Sequence, residues 1–362
     1  MTDSPTRSDA PASDRLRVVV ASPLAEELCR LIEQAEPRID LVRDQSLLPP
    51  MRHPADYQGD PAFRRTPGQQ AEFEALVDSA EVLYGIPDVD PAALARTVAA
   101  NPRVRWVQLM AAGGGAQVKA ADLSPGDLQR VAFTTSAGVH GGPLAEFALF
   151  GILAGAKQLP RLQAQQRDHV WPGRWALGQV RDQTVLLVGL GGIGREIARL
   201  TSALGMHVIG TRRAGSTKTV EHVDEYVSID DLAASAARAD AIVVSLPGTT
   251  ATDGLLDAAV FAAARPGVTI VNVGRGTVID EAALLDALTS GQVGFAALDV
   301  FATEPLPAGS PLWDHPNVLV SPHTAALDAG EERRIAELFA DNATRFLDGA
   351  PLRNRVDTVE FY

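Results

Sequence analysis

The residues best suited to chemistry lie in three short segments in the second half of the sequence. Arg275 lies between two glycines directly after an apolar run. Asp299 and Glu304 follow the next apolar run, and His323 follows a third. Packing explains such an arginine poorly, whereas its guanidinium can bind a carboxylate through both arms. Because open α/β sheets bind ligands at the carboxyl ends of their strands, we expect these side chains to form a site.

A glycine-rich loop follows the apolar run Val185-Leu186-Leu187-Val188. Its sequence is a G-x-G-x-x-G fingerprint, Gly189-Leu190-Gly191-Gly192-Ile193-Gly194. The first glycine is expected to make the tight turn, the second to admit a pyrophosphate, and the third to let the next helix pack closely. Backbone N–H groups at the start of that helix offer an anion site. The whole unit of strand, loop, helix and strand predicts dinucleotide binding, with a ligand-free glycine turn as the alternative.

The end of the following strand predicts which dinucleotide is bound. NAD sites usually carry an acid about 20 residues beyond the glycines, where it accepts from the ribose 2′-hydroxyl. This sequence has no acid there and offers Thr211, Arg212 and Arg213 instead. Guanidinium groups suit the 2′-phosphate of NADP, so we expect NADP to be preferred over NAD. The alternative is a pair of solvated arginines. Leu246 and Val273, at the ends of two later strands, are assigned to the same cofactor site.

Two series of alternating strands and helices position these motifs. The first series has strand-like runs at 16–21, 80–86, 104–110 and 131–135, with a helix at 91–100. The second has six, at 184–188, 207–210, 241–246, 269–273, 295–300 and 318–321. This alternation is typical of parallel sheets covered by helices. The expected fold class is α/β, with two parallel-sheet domains of the Rossmann or flavodoxin type.

Composition bounds the kinds of protein this can be. A length of 362 residues suits two domains, and 46% apolar with 21% charged residues is typical of globular chains. The net charge of −13 argues against a nucleic-acid or anionic-membrane partner, because binders of polyanions are basic. Cys29 is the single cysteine, which excludes an intrachain disulfide and fits a reducing cytoplasm. No residue spacing suggests a metal site.

Two segments are expected to lie outside the regular elements. Residues 1–15 are rich in Ser, Asp, Pro and Ala, which predicts a disordered tail. The stretch 43–70 is polar and contains five prolines, which predicts a long loop inserted near the edge of the first domain. We assign no site to it.

The motifs together resemble the D-isomer-specific 2-hydroxyacid dehydrogenase family. The matching stretches are 189–194, 271–276, 298–305 and 317–325, with weaker likeness at 107–115 and 144–147. The resemblance implies a nucleotide domain (139–324) inserted into a discontinuous substrate-binding domain (16–138 and 325–362). It also implies a homodimer formed through the nucleotide domains.

The resemblance also implies a role for each candidate residue. Arg275 would hold the substrate carboxylate, His323 would be the general acid in reduction, and Glu304 would pair with His323. Asp299 and His323 would contact the nicotinamide. Backbone N–H groups of Ala112 and Gly113, in a glycine-rich turn, would face the substrate. The physical logic agrees, because hydride addition to a ketone builds negative charge on its oxygen, which a nearby proton donor stabilises.

The function expected is therefore reduction of a small 2-oxo acid to the D-2-hydroxy acid, with NADPH as hydride donor. The likeness is to the glyoxylate or hydroxypyruvate reductase branch. Two alternatives remain within the fold: a short phosphoglycerate dehydrogenase, and a nucleotide-sensing protein like the family's transcriptional corepressors. A nucleotide-binding enzyme of another reaction class would leave Arg275, Glu304 and His323 without a shared purpose.

Overall fold

The computed structural model describes residues 15–53, 55–359 and 361. Two compact units are present. Unit 1 contains the described residues up to Val139 together with those from Asp328 onward, and unit 2 is His140–Leu327. The tail expected at 1–15 lies outside the described residues except for Arg15. In the described part of the chain, no helix is both long and apolar enough to cross a membrane.

Unit 1 is built on a five-stranded parallel sheet. Its strands are β1 (Leu16–Val20), β2 (Ile39–Val42), β3 (Val82–Tyr84), β4 (Trp106–Gln108) and β5 (Ala132–Thr134). Its helices are α1 (Glu26–Ala35), α2 (Pro67–Val77), α3 (Pro91–Ala100), α4 (Gly115–Ala120), α5 (Pro125–Arg130) and, from the end of the chain, α12 (Glu331–Leu347). The strand order β2-β1-β3-β4-β5 is that of flavodoxin-like folds.

The last helix of the chain completes the core of unit 1. Phe339 on α12 stacks on Trp106 with ring centroids 4.9 Å apart and meets Tyr84 edge-on at 5.1 Å. Arg334, on the same helix, donates from Nε to the carbonyl of Val139 at 3.0 Å and pairs with Asp328. One guanidinium therefore binds both residues at which the chain leaves and re-enters this unit.

Unit 2 is built on a seven-stranded parallel sheet. Its strands are β6 (Thr184–Val188), β7 (His207–Arg212), β8 (Glu225–Ser228), β9 (Ala241–Val244), β10 (Val268–Asn272), β11 (Val293–Leu298) and β12 (Val318–Val320). Its helices are α6 (Gly141–Ala156), α7 (Leu159–Arg167), α8 (Gly192–Ala203), α9 (Leu232–Ala236), α10 (Ala258–Ala263) and α11 (Glu281–Ser290). The order β12-β11-β10-β9-β6-β7-β8 reverses at β6, as in Rossmann folds.

The expected fold class is confirmed, and two strands are additional to those expected. β2 and β8 each lie at the edge of their sheet. Neither is a continuous apolar run: β2 alternates buried and half-buried residues, and every residue of β8 is half-buried. Continuous apolar runs indicate the central strands of a parallel sheet but not edge strands such as β2 and β8.

The stretch 43–70 is more ordered than the predicted loop. Gln45–Leu47 forms a 3₁₀ turn, and α2 already begins at Pro67. Thr66 caps α2 by accepting from the N–H of Gln69, whose side chain accepts in return from the N–H of Thr66. Arg65 packs its guanidinium over the ring of Phe73, 3.8 Å from the centroid. The end of this stretch is therefore packed against α2 of unit 1.

Candidate active site

The Arg275 loop leaves the carboxyl end of β10 so close to neighbouring backbone that only glycines fit on either side of Arg275. A Cβ on Gly274 would lie 2.6 Å from the carbonyl oxygen of Leu246, and one on Gly276 would lie 1.8 Å from the backbone of Phe301. The loop backbone is thus held between two neighbouring segments. Arg275 itself is exposed, and its Nη1 donates to the carbonyl of Gly274 at 2.7 Å.

A buried carboxylate holds the turn that carries His323. Oδ1 of Asp299 accepts from the hydroxyl of Ser321 at 2.6 Å and from the N–H groups of Thr324 and Ala325 at 3.0 Å each. These contacts bracket His323, which has a φ of 54°, unusual for a residue with a side chain. Among the described residues, none donates to Oδ2 of Asp299. One carboxylate oxygen therefore positions the histidine, and the other is left for the predicted nicotinamide contact.

His323 and Glu304 form a hydrogen-bonded pair. Nδ1 of His323 lies 2.7 Å from Oε2 of Glu304, and the other carboxylate oxygen accepts from the N–H of Phe301 at 2.9 Å. Burial alone raises the pKa of the Glu304 carboxyl, but the hydrogen bonds from His323 and Phe301 and the charge of Arg275 outweigh it. The pKa of Glu304 consequently lies below its ordinary value of 4.5, and the group is a carboxylate at neutral pH.

Arg275, Glu304 and His323 line one cavity of about 380 Å³ at the carboxyl edge of the unit 2 sheet. The sequence motifs predicted this grouping. Sequence reasoning assigned no role to the side chains of the rest of the wall, which consists of Gly248, Gly276, Thr277, Phe301 and Ala302. Glu281, at the start of α11, accepts from the N–H of Ala302 at 2.7 Å and so fixes one side of the wall. A cationic group and an imidazole–carboxylate pair thus face the same space.

The glycine-rich loop has the geometry that its sequence predicted. Gly189 has a φ of 113°, and a Cβ on Gly194 would lie 2.1 Å from the carbonyl oxygen of Gly189. Gly191 has nothing within 4 Å of the place its Cβ would occupy. α8 begins directly after it, at Gly192 and Ile193, with no side chain capping its first N–H groups. Backbone donors at an open helix start suit an anion such as a pyrophosphate.

The residues predicted to determine whether NADP or NAD is bound differ in their burial and in the groups they contact. Thr211 is buried, and its hydroxyl accepts from the N–H of Gly189 at 3.1 Å. This hydrogen bond holds the first glycine of the loop. Arg212 ends β7 with its guanidinium 5.1 Å from the ring centroid of Tyr226, and Arg213 is exposed in the next turn. In the described part of the chain neither arginine pairs with a carboxylate, so both guanidinium groups are available to bind an anion.

Leu246 and Val273 lie beside the loops rather than on an open surface. Leu246 is half-buried and packs near Gly189. Its Cδ2 would lie 3.1 Å from a Cβ placed on that glycine. Val273 is buried in the apolar core of unit 2. Its side chain therefore packs inside the unit, and its N–H donates to the carbonyl of Val244 at 3.0 Å.

The predicted substrate loop belongs to unit 1. Ala112 and Gly113 are exposed in a turn after β4, which leads into α4 at Gly115. Gly114 is required for packing, since its Cβ would lie 2.7 Å from that of Leu109. Among the described residues, no acceptor binds the N–H groups of Ala112 and Gly113.

A larger cavity, about 480 Å³, lies at the opposite edge of the unit 2 sheet. Its wall includes Asp240, Val268 and Gly294, each within one residue of the beginning of a strand. Asp240 is paired there with Arg265 at 2.8 Å. None of the predicted site residues lines this cavity, so the smaller one is the candidate active site.

The sequence of the chain is similar to those of known proteins. A family model described as the NAD binding domain of D-isomer specific 2-hydroxyacid dehydrogenases matches residues 149–325. The D-3-phosphoglycerate dehydrogenase of Mycobacterium bovis is 36% identical over 281 residues, which is 75% of this chain and 52% of that protein. The chain thus spans about half the length of the curated relatives of this kind that it matches.

Solved structures match over nearly the whole chain. The D-isomer specific 2-hydroxyacid dehydrogenase of Xanthobacter autotrophicus Py2, solved with NADPH and MES, is 30% identical. Its TM-score is 0.74, and the match covers 96% of this chain and 100% of that one. The NADPH-dependent glyoxylate/hydroxypyruvate reductase of Sinorhizobium meliloti, solved with NADP and sulfate, is 27% identical with a TM-score of 0.71 and the same coverage. The resemblance drawn from the motifs is confirmed: the chain belongs to the D-isomer specific 2-hydroxyacid dehydrogenase family.

Proposed function

We propose that this protein is an NADPH-preferring reductase that converts a small 2-oxo acid to the D-2-hydroxy acid. The observation that carries the proposal is the cavity in which Arg275, Glu304 and His323 converge, with the imidazole and carboxylate 2.7 Å apart. All three side chains are intact, so a family member that binds nucleotide without turnover is the weaker interpretation. Unit 2 would bind the cofactor, and the backbone N–H groups of Ala112 and Gly113 would bind the substrate, as the resemblance to the family implies.

The residues of unit 2 fit a dinucleotide. The open backbone at Gly191 and the uncapped start of α8 would bind the pyrophosphate, since both expose N–H donors. Arg212 and Arg213 would bind the 2′-phosphate of NADP, which a carboxylate at that position would repel. When bound, the nicotinamide supplies the hydride.

The remaining chemistry belongs to the protein side chains. Arg275 would bind the substrate carboxylate through two hydrogen bonds and thereby fix the keto carbon. Because Nδ1 of His323 is engaged by Glu304, Nε2 is the nitrogen free to donate its proton to the keto oxygen. Glu304 stabilises the imidazolium before transfer and keeps the ring in that orientation. In the reverse direction the neutral imidazole would act as the base.

Substrate and assembly extend the proposal. Glyoxylate and hydroxypyruvate are the proposed substrate class, by likeness to the Sinorhizobium meliloti reductase. The phosphoglycerate dehydrogenase relatives make 3-phosphohydroxypyruvate the second candidate.

A homodimer through unit 2 is proposed because this unit exposes apolar side chains close together in sequence, including Phe150, Val170 and Trp171, the last 98% exposed. The buried free thiol of Cys29 fits the reducing cytoplasm as the compartment.

A substrate panel tests the activity. Purified protein is incubated with NADPH or NADH and glyoxylate, hydroxypyruvate, phenylpyruvate or 3-phosphohydroxypyruvate, and oxidation of the cofactor is followed by its absorbance. We expect turnover that His323→Ala abolishes. His315→Ala is the matched control, because the imidazole of His315 accepts from the N–H of Asn317 and does not line the candidate active site. Absence of turnover across the panel, with NADPH bound, would favour the nucleotide-sensing alternative.

The cofactor preference has its own test. Arg212→Asp should reverse the ratio of kcat/KM for NADPH and NADH, because the new carboxylate repels the 2′-phosphate and accepts from a 2′-hydroxyl. Arg199→Asp, on the exposed side of α8, is the control for the change of charge. An unchanged ratio in Arg212→Asp would refute the proposed role.

A further inference from the structure

We propose that Asn272 is a positioning residue that fixes Arg275 for the substrate carboxylate, an inference that rests on the proposed function. Asn272 is the last residue of β10 and is 1% exposed. Its Oδ1 accepts from the N–H of Gly274 and its Nδ2 donates to the carbonyl of Arg275, each at 3.0 Å. The amide thus bonds the peptide groups on both sides of the Arg275 loop.

The two bonds require an amide. Gly274 offers a donor and Arg275 offers an acceptor, so the bridging side chain must accept with one atom and donate with the other. A carboxylate of the same shape would place an oxygen against the carbonyl oxygen of Arg275. Valine, isoleucine and threonine at the other positions of β10 could fill the space but not make these bonds. A buried amide without them would be destabilising.

Asn272 also links the Arg275 loop to the His323 turn. Its backbone carbonyl accepts from the N–H of Asp299 at 3.1 Å, and Asp299 in turn binds Ser321, Thr324 and Ala325 around the histidine. Arg275 and His323 therefore have a common support at the ends of β10 and β11. Displacing the amide would rotate the Arg275 peptide while leaving the His323–Glu304 pair intact.

Three variants separate positioning from general stability. Asn272→Ser removes the bridge, and Asn272→Asp keeps the bond to Gly274 but opposes the carbonyl of Arg275. Asn342→Ser is the matched control, because Asn342 is equally buried and its amide makes the same kind of pair, with the N–H and carbonyl of Arg353. All three should lose similar stability in thermal unfolding.

Kinetics and binding then give the decisive readout. Asn272→Ser should raise KM for the 2-oxo acid and weaken binding of oxalate to the NADPH complex by about 10- to 100-fold, since small misplacements of a positioning group cost that much. Its affinity for NADPH should not change. In Asn272→Asp the protonated acid can donate to Arg275, so its KM relative to wild type should fall as the pH is lowered. Asn342→Ser should show neither effect.

The possible results are distinct. If wild type turns over a 2-oxo acid and Asn272→Ser matches Asn342→Ser in KM and oxalate affinity, the positioning role is wrong and the proposed function stands. If wild type neither turns over the panel nor binds oxalate, the proposed function fails and the role of Asn272 fails with it.

Discussion

Neutralising Glu304 tests the chemistry of the site most directly. Reduction requires protonated His323, and the carboxylate of Glu304 2.7 Å from Nδ1 favours that form. In Glu304→Gln the charge that faces Nδ1 of His323 is lost, so kcat/KM for reduction should fall. The ring should also be oriented less well, because a glutamine has one acceptor oxygen where Glu304 uses two, for His323 and for Phe301.

The size of the loss in kcat/KM follows from the exposure of the pair. Unit charges 4 Å apart interact by about 1 kcal/mol in water and about 4 kcal/mol at the effective dielectric of a protein surface. The side chains of His323 and Glu304 are 46% and 35% exposed. We take about 1 kcal/mol, because exposed ion pairs rarely exceed it. Since about 1.4 kcal/mol corresponds to a tenfold change in rate, kcat/KM should fall by about 5-fold.

The assay is kcat/KM for NADPH oxidation at neutral pH with the best 2-oxo acid of the panel. Glu281→Gln is the control, because Glu281 accepts from the N–H of Ala302, which lines the same cavity. It should leave kcat/KM unchanged. An unchanged kcat/KM in Glu304→Gln would show that the charge of Glu304 does not assist the reaction at His323.

Three further predictions concern the loops. Gly276→Ala should destabilise the protein by about 3 kcal/mol or more in chemical denaturation, because its Cβ would overlap the backbone of Phe301. Gly191→Ala should leave the unfolding midpoint unchanged but weaken NADPH binding in a fluorescence titration, since its Cβ enters open space where the pyrophosphate is proposed to lie. Thr211→Val should cost about 1–3 kcal/mol of stability and reduce NADPH affinity, because it orphans the N–H of Gly189, whereas Thr211→Ser should retain both.

The central elements of the fold were predictable because burial leaves a plain pattern. β6 and α3 begin and end where the sequence indicates, the first as a continuous apolar run and the second between Asp90 and Asn101. The edge strands β2 and β8 lack that pattern, because one face or edge of each remains exposed. The beginning of α2 had a readable signal, the capping box formed by Thr66 and Gln69, which the surrounding prolines obscured.

In the same way, sequence motifs predicted some residues of the site, whereas the contacts of others are evident only from the structure. Arg275, Glu304 and His323 were identifiable because their charges have no use in a core. Asn272 was not, since a buried amide acts through backbone groups that become neighbours only after folding. Thr211 was predicted as a cofactor-binding residue, but its hydrogen bond to the N–H of Gly189 was not predicted. Asp299 combines both cases: the motif predicted a ligand contact, and the structure adds three hydrogen bonds that shape the His323 turn.

The acidic surface and the proposed anionic ligands are compatible because they act over different distances. A net charge of −13 acts through solvent, where salt screens it beyond about 8 Å. The guanidiniums of Arg212 and Arg275 and the N–H groups after Gly191 would act at hydrogen-bond distance. A long polyanion would meet the acidic surface, whereas a small acid or a dinucleotide meets only these donors. Affinity should therefore depend on a few local groups and be insensitive to neutralising acids elsewhere on the surface.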